Sequence, residues 1–142
     1  MRYFVTGATG FIGKRLVRKL LAQKDSTVYF LVREESREKI PAVLEYWAVE
    51  QGRVVPVYGD ICEEQLGISE SDLSALSGTI DHFFHLAAIY DLNADVAPQV
   101  ITNVEGTRNT VRLAGQLGAA CFHHVSSIAA AGLYEGTFRE DM

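Results

Sequence analysis

Thr6-Gly7-Ala8-Thr9-Gly10-Phe11-Ile12-Gly13 stands between a short apolar run and a segment of helical periodicity. Upstream, Tyr3, Phe4 and Val5 read as a strand buried on both faces, as in a parallel sheet. Downstream, Phe11, Ile12, Leu16, Val17, Leu20 and Leu21 recur at helical spacing, with Lys14, Arg15, Arg18 and Lys19 opposite. The G-x-x-G-x-x-G element therefore falls at a strand-to-helix joint. Gly7 is expected to allow the tight turn, Gly10 to leave room for a diphosphate, and Gly13 to let helix and strand pack closely. Thr9, Phe11 and Ile12 belong to the same corner and are counted with the glycines as cofactor-binding. The first-turn amides and the positive dipole end of the helix would face the phosphates. Twelve glycines could give this spacing by chance. Its place after an apolar strand and before an amphipathic helix is what makes it informative.

Bulk properties agree with a globular binding domain. At 142 residues the chain fits one domain, 1–142, large enough for a real core. Its content of 48% hydrophobic and 22% charged residues is that of an ordinary globule. A formal net charge of −5 without a basic stripe argues against a nucleic-acid partner. No apolar run reaches the ~20 residues of a membrane span, and the N-terminus lacks a signal-peptide layout. Cys62 and Cys121 match no metal spacing, so no metal is expected and a reducing, cytoplasmic setting is. His82, His85, His123 and His124 are read as strand residues, the last two pointing to opposite sheet faces, and none as a ligand.

Strand and helix signals alternate along the rest of the chain. Thr27 to Val32 is a second strand, followed by a charged loop from Arg33 to Arg37. Pro41 suits a helix start, with Val43, Leu44, Trp47 and Ala48 as its apolar face. Arg53 to Tyr58 is a third strand entering the turn Gly59-Asp60. Ser69-Glu70-Ser71-Asp72 has the form of a capping box for a helix through Leu76, closed near Gly78. Ile80 to Leu86 is a fourth strand, and Ala119 to Val125 a fifth. Between them Val100, Val104, Thr107, Val111 and Ala114 suggest the face of a long helix ending at Gly118. The expected fold is α/β, a doubly wound parallel sheet of order 3-2-1-4-5, with its ligand across the carboxyl ends of strands 1 and 4.

Which dinucleotide binds should be decided after the second strand. Arg33 stands twenty residues beyond Gly13, where a carboxylate would accept hydrogen bonds from a ribose 2′-hydroxyl. A guanidinium cannot accept them but can pair with a 2′-phosphate. Arg37 adds a second cation, while Glu34 and Glu35 could still reach a ribose. The reading favours NADP, with NAD possible.

The motifs Thr6 to Gly13, Gly59-Asp60-Ile61, His85-Leu86-Ala87-Ala88, Asn103-Val104-Glu105-Gly106-Thr107 and Val125-Ser126-Ser127 come in a fixed order. In that order the chain resembles the Rossmann-type extended short-chain dehydrogenases/reductases. The element Leu66-Gly67-Ile68-Ser69 is similar to the branch of fatty acyl-CoA reductases and thioester reductase domains. This resemblance implies an oxidoreductase that uses NADPH to reduce an acyl thioester or a related carbonyl. It puts Asp60 near the adenine amine and Ile61 beside the ring, although Asp60 could equally cap its own turn. It also puts Leu86, Ala87 and Ala88 against the cofactor, and Asn103 on the nicotinamide side. Ser127 would polarise the substrate carbonyl, with Ser126 as the fallback and a simple turn cap as the alternative.

One departure concerns the chemistry itself. The resemblance calls for a Tyr-x-x-x-Lys pair, the lysine lowering the tyrosine's pKa. Four residues after Tyr3, Tyr29, Tyr46, Tyr58, Tyr90 and Tyr134 stand Gly7, Arg33, Glu50, Cys62, Ala94 and Phe138. None is lysine. The fifth strand would also present an apolar edge, Ala119-Ala120-Cys121-Phe122. The expectation is the front part of a longer reductase, ending before the last strand and substrate lobe and inactive alone. A sugar-nucleotide epimerase/dehydratase, a ketone reductase, or a non-catalytic dinucleotide sensor are the alternatives.

Overall fold

The structure is a computed structural model describing residues 1–48, 52–89 and 96–142. Tyr90, one of the tyrosines tested above, lies outside them, as do Glu50 and Ala94. Five strands form one sheet: β1 (Arg2–Thr6), β2 (Thr27–Val32), β3 (Val54–Tyr58), β4 (His82–His85) and β5 (Cys121–His124). Every neighbouring pair is parallel and the order is β3-β2-β1-β4-β5, as expected from the alternation of strand and helix signals.

Helices cover both faces. On one, α1 (Phe11–Leu21) and α2 (Ile40–Trp47) pack Val17, Leu20 and Trp47 with Tyr3, Val5, Val28 and Phe30. On the other, α3 (Glu70–Leu76) and α5 (Gly106–Gln116) pack Leu76, Leu113 and Ala114 with Phe4, Leu31, Val57 and Phe83. Strand residues alternate between these two cores because successive side chains point to opposite faces. Removing a large apolar side chain from water stabilises the fold by roughly 1.5–3 kcal/mol, so both cores contribute. The predicted cap of α3 is present: Ser69 Oγ accepts from the Asp72 amide at 3.1 Å and donates to Asp72 Oδ2 at 2.7 Å.

Three local expectations are corrected. Arg33 to Arg37 is not an open loop, since Glu34–Lys39 forms a 3-10 helix with Arg33 as its N-cap. Phe11 and Ile12 do not join the buried face of α1, being 72% and 57% exposed at its N-terminal turn. The long helix is composite: α4 (Val96–Val100), a π turn (Ile101–Glu105), then α5. Of the expected face Ala114 is buried, but Val100, Val104 and Val111 are about half exposed, and Ala114 shares the buried stripe with Gly106, Thr110, Leu113 and Leu117. Close packing selects that stripe: a Cβ on Gly106 would lie 2.9 Å from Ile61 Cδ1, and the Thr110 hydroxyl donates to the Gly106 carbonyl at 2.7 Å.

Candidate dinucleotide site

The glycine corner has the geometry its residue types suggest. Gly7 adopts φ +72°, and a Cβ there would lie 2.7 Å from the Ala87 amide nitrogen. A Cβ on Gly13 would meet the Gly7 carbonyl oxygen at 2.1 Å. Gly10 differs: its nearest obstruction is the Gly7 oxygen at 3.3 Å, which leaves open space toward the cleft. The Gly10 N-cap makes no side-chain cap bond, and no acidic residue occupies the first turn of α1. The N-terminal amides and the dipole of this helix are therefore available to an anion.

Two adjoining cavities, of about 380 and 570 Å³, open over the carboxyl ends of β1 and β4. They share Gly7, Gly10, Leu86, Ala87, Ala88 and Ile89, so together they make one continuous cleft. Thr9, Arg33, Asp60 and Ile61 line the first. Phe11, Ile12, Gly13, Asn103, Ser126 and Ser127 line the second. The cleft thus gathers every residue singled out above as cofactor-binding or catalytic. Exposure of Phe11 and Ile12 has the same origin, since their helix turn forms a wall of the cleft.

Sequence reading missed part of the first cavity. Ser36 and Lys39 line it with Arg33, whereas Arg37 pairs with Glu34 at 3.2 Å and lies over the Tyr58 ring. The 3-10 turn brings Lys39 round, and a loop reading could not place it. Asp60 does cap its own turn, accepting from the Cys62 amide at 2.9 Å, and it also lines the cavity. That turn is backed by the Leu66-Gly67 element, whose Leu66 carbonyl accepts from the Asp60 amide at 2.8 Å. Gln65 and Leu66 hold φ of 50° and 56°, a left-handed conformation costing of order 1–3 kcal/mol per residue. Leu66, fully buried, helps the surrounding core hold it.

Behind the cleft runs a directed chain of hydrogen bonds. Thr107 Oγ1 donates to the Asn103 carbonyl at 2.7 Å, so it must accept from His85 Nε2 at 3.0 Å. His85 Nδ1 then accepts from Thr6 Oγ1 at 2.7 Å. The same Thr6 oxygen accepts from the amides of Leu86 and Ala87, each at 3.3 Å. Asn103, on the π turn, accepts from the Ile89 amide at 2.8 Å and donates to its carbonyl at 2.9 Å. The loop after β4 is thus fixed by β1 and by the π turn. This chain requires His85 neutral, and burial, with His124 nearby, lowers its pKa to about 4. His124 stacks on His85 at 5.3 Å and lines the second cavity, while His123 stacks on Phe84 on the opposite face.

Comparison with known proteins places this geometry. The NAD-binding family described as "Male sterility protein" matches residues 5–142. A component of the linear gramicidin synthase of Brevibacillus parabrevis is 35% identical over 140 residues, covering 93% of this chain and 3% of that protein. Fatty acyl-CoA reductase 1 of Homo sapiens is 31% identical over 139 residues, covering 87% of this chain and 27% of that one. The crystal structure of the terminal R domain from the myxalamid PKS-NRPS biosynthetic pathway superposes with a TM-score of 0.78 at 32% identity. The match covers 96% of this chain and 37% of that one. The chain therefore spans only a minor part of each of these relatives. Among the described residues no helix is long and apolar enough to cross a membrane.

Proposed function

The chain belongs to the NAD-binding family described as "Male sterility protein", and from that premise we propose that it is the cofactor-holding part of an NADPH-dependent reductase. Its substrate is a small molecule, an acyl thioester or a carbonyl derived from one. The observation that carries the choice of coenzyme is the first cavity's lining of Arg33, Ser36 and Lys39 beside the glycine corner. Two cations and a hydroxyl there suit a 2′-phosphate, and no carboxylate stands at the Arg33 position to hold a ribose diol.

The corner fits a dinucleotide: Gly7 and Gly13 let the turn and the helix pack without a backbone clash, and at Gly10 the missing side chain leaves space open toward the cleft. The amides of residues 11–13 would take the diphosphate, Asp60 and Ile61 would take the adenine, and Asn103 would lie on the nicotinamide side. When bound, the coenzyme supplies a hydride. Ser127, or Ser126 beside it, donates a hydrogen bond to the substrate carbonyl oxygen as charge develops there, a role worth about 10²–10³ in rate for a single donor. This sequence holds no Tyr-x-x-x-Lys pair. The 142-residue chain by itself is therefore expected to bind NADPH without turning over an acyl-CoA or an aldehyde. Two cysteines free of disulfides, Cys62 and Cys121, suit a reducing cytoplasm.

Calorimetric titration of the chain with NADPH and NADH tests the reading. NADPH should bind more tightly, and Arg33→Asp should weaken NADPH about 10- to 100-fold while sparing NADH. Equal loss for both coenzymes would overturn the phosphate role.

A further inference from the structure

A second group of chemically able side chains lies away from the cleft, near the opposite end of β4 and β5. Parallel pairing sets His82 beside Cys121 and Phe84 beside His123. Two histidines and a thiol thereby share one face of the sheet, although no spacing within either strand suggests it. His82 Nδ1 and His123 Nε2 are 3.0 Å apart, and with Cys121 Sγ all three donor atoms lie within 4.8 Å of one another. This is the one such cluster of histidine, cysteine or acidic residues among those described. Aromatic neighbours fix the imidazoles: His82 stacks on Tyr3 at 5.7 Å, and His123 on Phe84 at 4.2 Å. All three residues are partly exposed, so an ion can enter from solvent.

We propose that His82, Cys121 and His123 form a zinc site with a fourth position open to water or another ligand. Zn–N bonds of about 2.0–2.1 Å and Zn–S bonds of about 2.3 Å in a tetrahedron separate ligand atoms by about 3.3–3.6 Å. The observed cluster needs only small side-chain adjustments to reach that. Two imidazoles and a thiolate suit a borderline ion and reject Mg²⁺ or Ca²⁺, which take oxygen ligands. On binding, the imidazole that donates the shared N–H moves that proton to its other ring nitrogen by exchange with solvent and stays neutral, the thiol proton passes to solvent, and no redox change occurs. The ion would bridge β4 to the edge strand β5, stabilising the folded state alone.

Cobalt(II) titration of the metal-free 142-residue chain tests the site. One Co²⁺ per chain should give a thiolate-to-metal charge-transfer band that Zn²⁺ displaces. Cys62→Ser should retain the band, and Cys121→Ser should abolish it with the circular dichroism spectrum unchanged. His82→Gln should weaken binding at least about 10-fold. No band, or a band that survives Cys121→Ser, would overturn the proposal. Melting of the unsubstituted chain gives an independent reading. Saturating Zn²⁺ should raise Tm where Mg²⁺ does not, and an unchanged Tm would also overturn it.

Discussion

His85 is 1% exposed, and both its ring nitrogens are engaged by threonine hydroxyls whose directions are already set. Protonating it would place a second N–H against the Thr6 hydroxyl and undo the bonds that hold Leu86 and Ala87. With a folded pKa of about 4 against an ordinary value of 6.5, the unfolded chain takes up the proton first. The stability this residue contributes is therefore complete above about pH 6.5 and lost as pH falls toward 4. The slope approaches 1.4 kcal/mol per pH unit, for a total on the order of 3 kcal/mol. Urea midpoints measured between about pH 7 and 4.5 should fall accordingly. His85→Gln should be less stable at neutral pH but show a flatter profile; an unchanged slope would remove His85 as the titrating group. At the same scale, Ser127→Ala in a full-length reductase should lower kcat about 10²-fold and leave NADPH affinity unchanged. If Ser126→Ala has that effect instead, the catalytic hydroxyl belongs to the neighbouring serine.

Among the elements, the βα corner and α5 give opposite expectations for the same substitution. Gly13→Ala drives a Cβ to 2.1 Å from a backbone oxygen that cannot yield. It should cost about 2 kcal/mol or more, seen as a lower Tm and weaker NADPH binding. Gly115→Ala lies in α5 with nothing within 4 Å of its Cβ, and should stabilise by about 0.5–1 kcal/mol. The corner was legible in the sequence because each glycine answers a local steric need of the turn. The buried face of α5 was not. Its stripe of Gly106, Thr110, Leu113 and Ala114 is less apolar than the exposed valines on the neighbouring face. Hydrophobic periodicity therefore found Ala114 but put the valines on the buried side. The π turn, which aims Asn103 at the loop after β4, leaves no periodic signature either.

Across the whole molecule, what could be read in advance was what depends on chain order. Alternating strand and helix signals indicate a parallel sheet, and the glycine motif after the first strand selects the 3-2-1-4-5 order. The ligand cleft then follows at the carboxyl ends of β1 and β4, where both cavities open. Features that depend on side chains meeting across strands or through a tight turn were out of reach. Lys39 reaches the first cavity only because Glu34–Lys39 coils. His82, Cys121 and His123 meet only through β4–β5 pairing.

The central claim is that main-chain amides at the start of α1 hold the paired phosphates of a dinucleotide, and a crystal structure of the chain grown with saturating NADPH tests it most directly. The account predicts diphosphate density against the amides of residues 11–13, with the 2′-phosphate between Arg33 and Lys39. An empty corner, or coenzyme bound elsewhere on the protein, would contradict it.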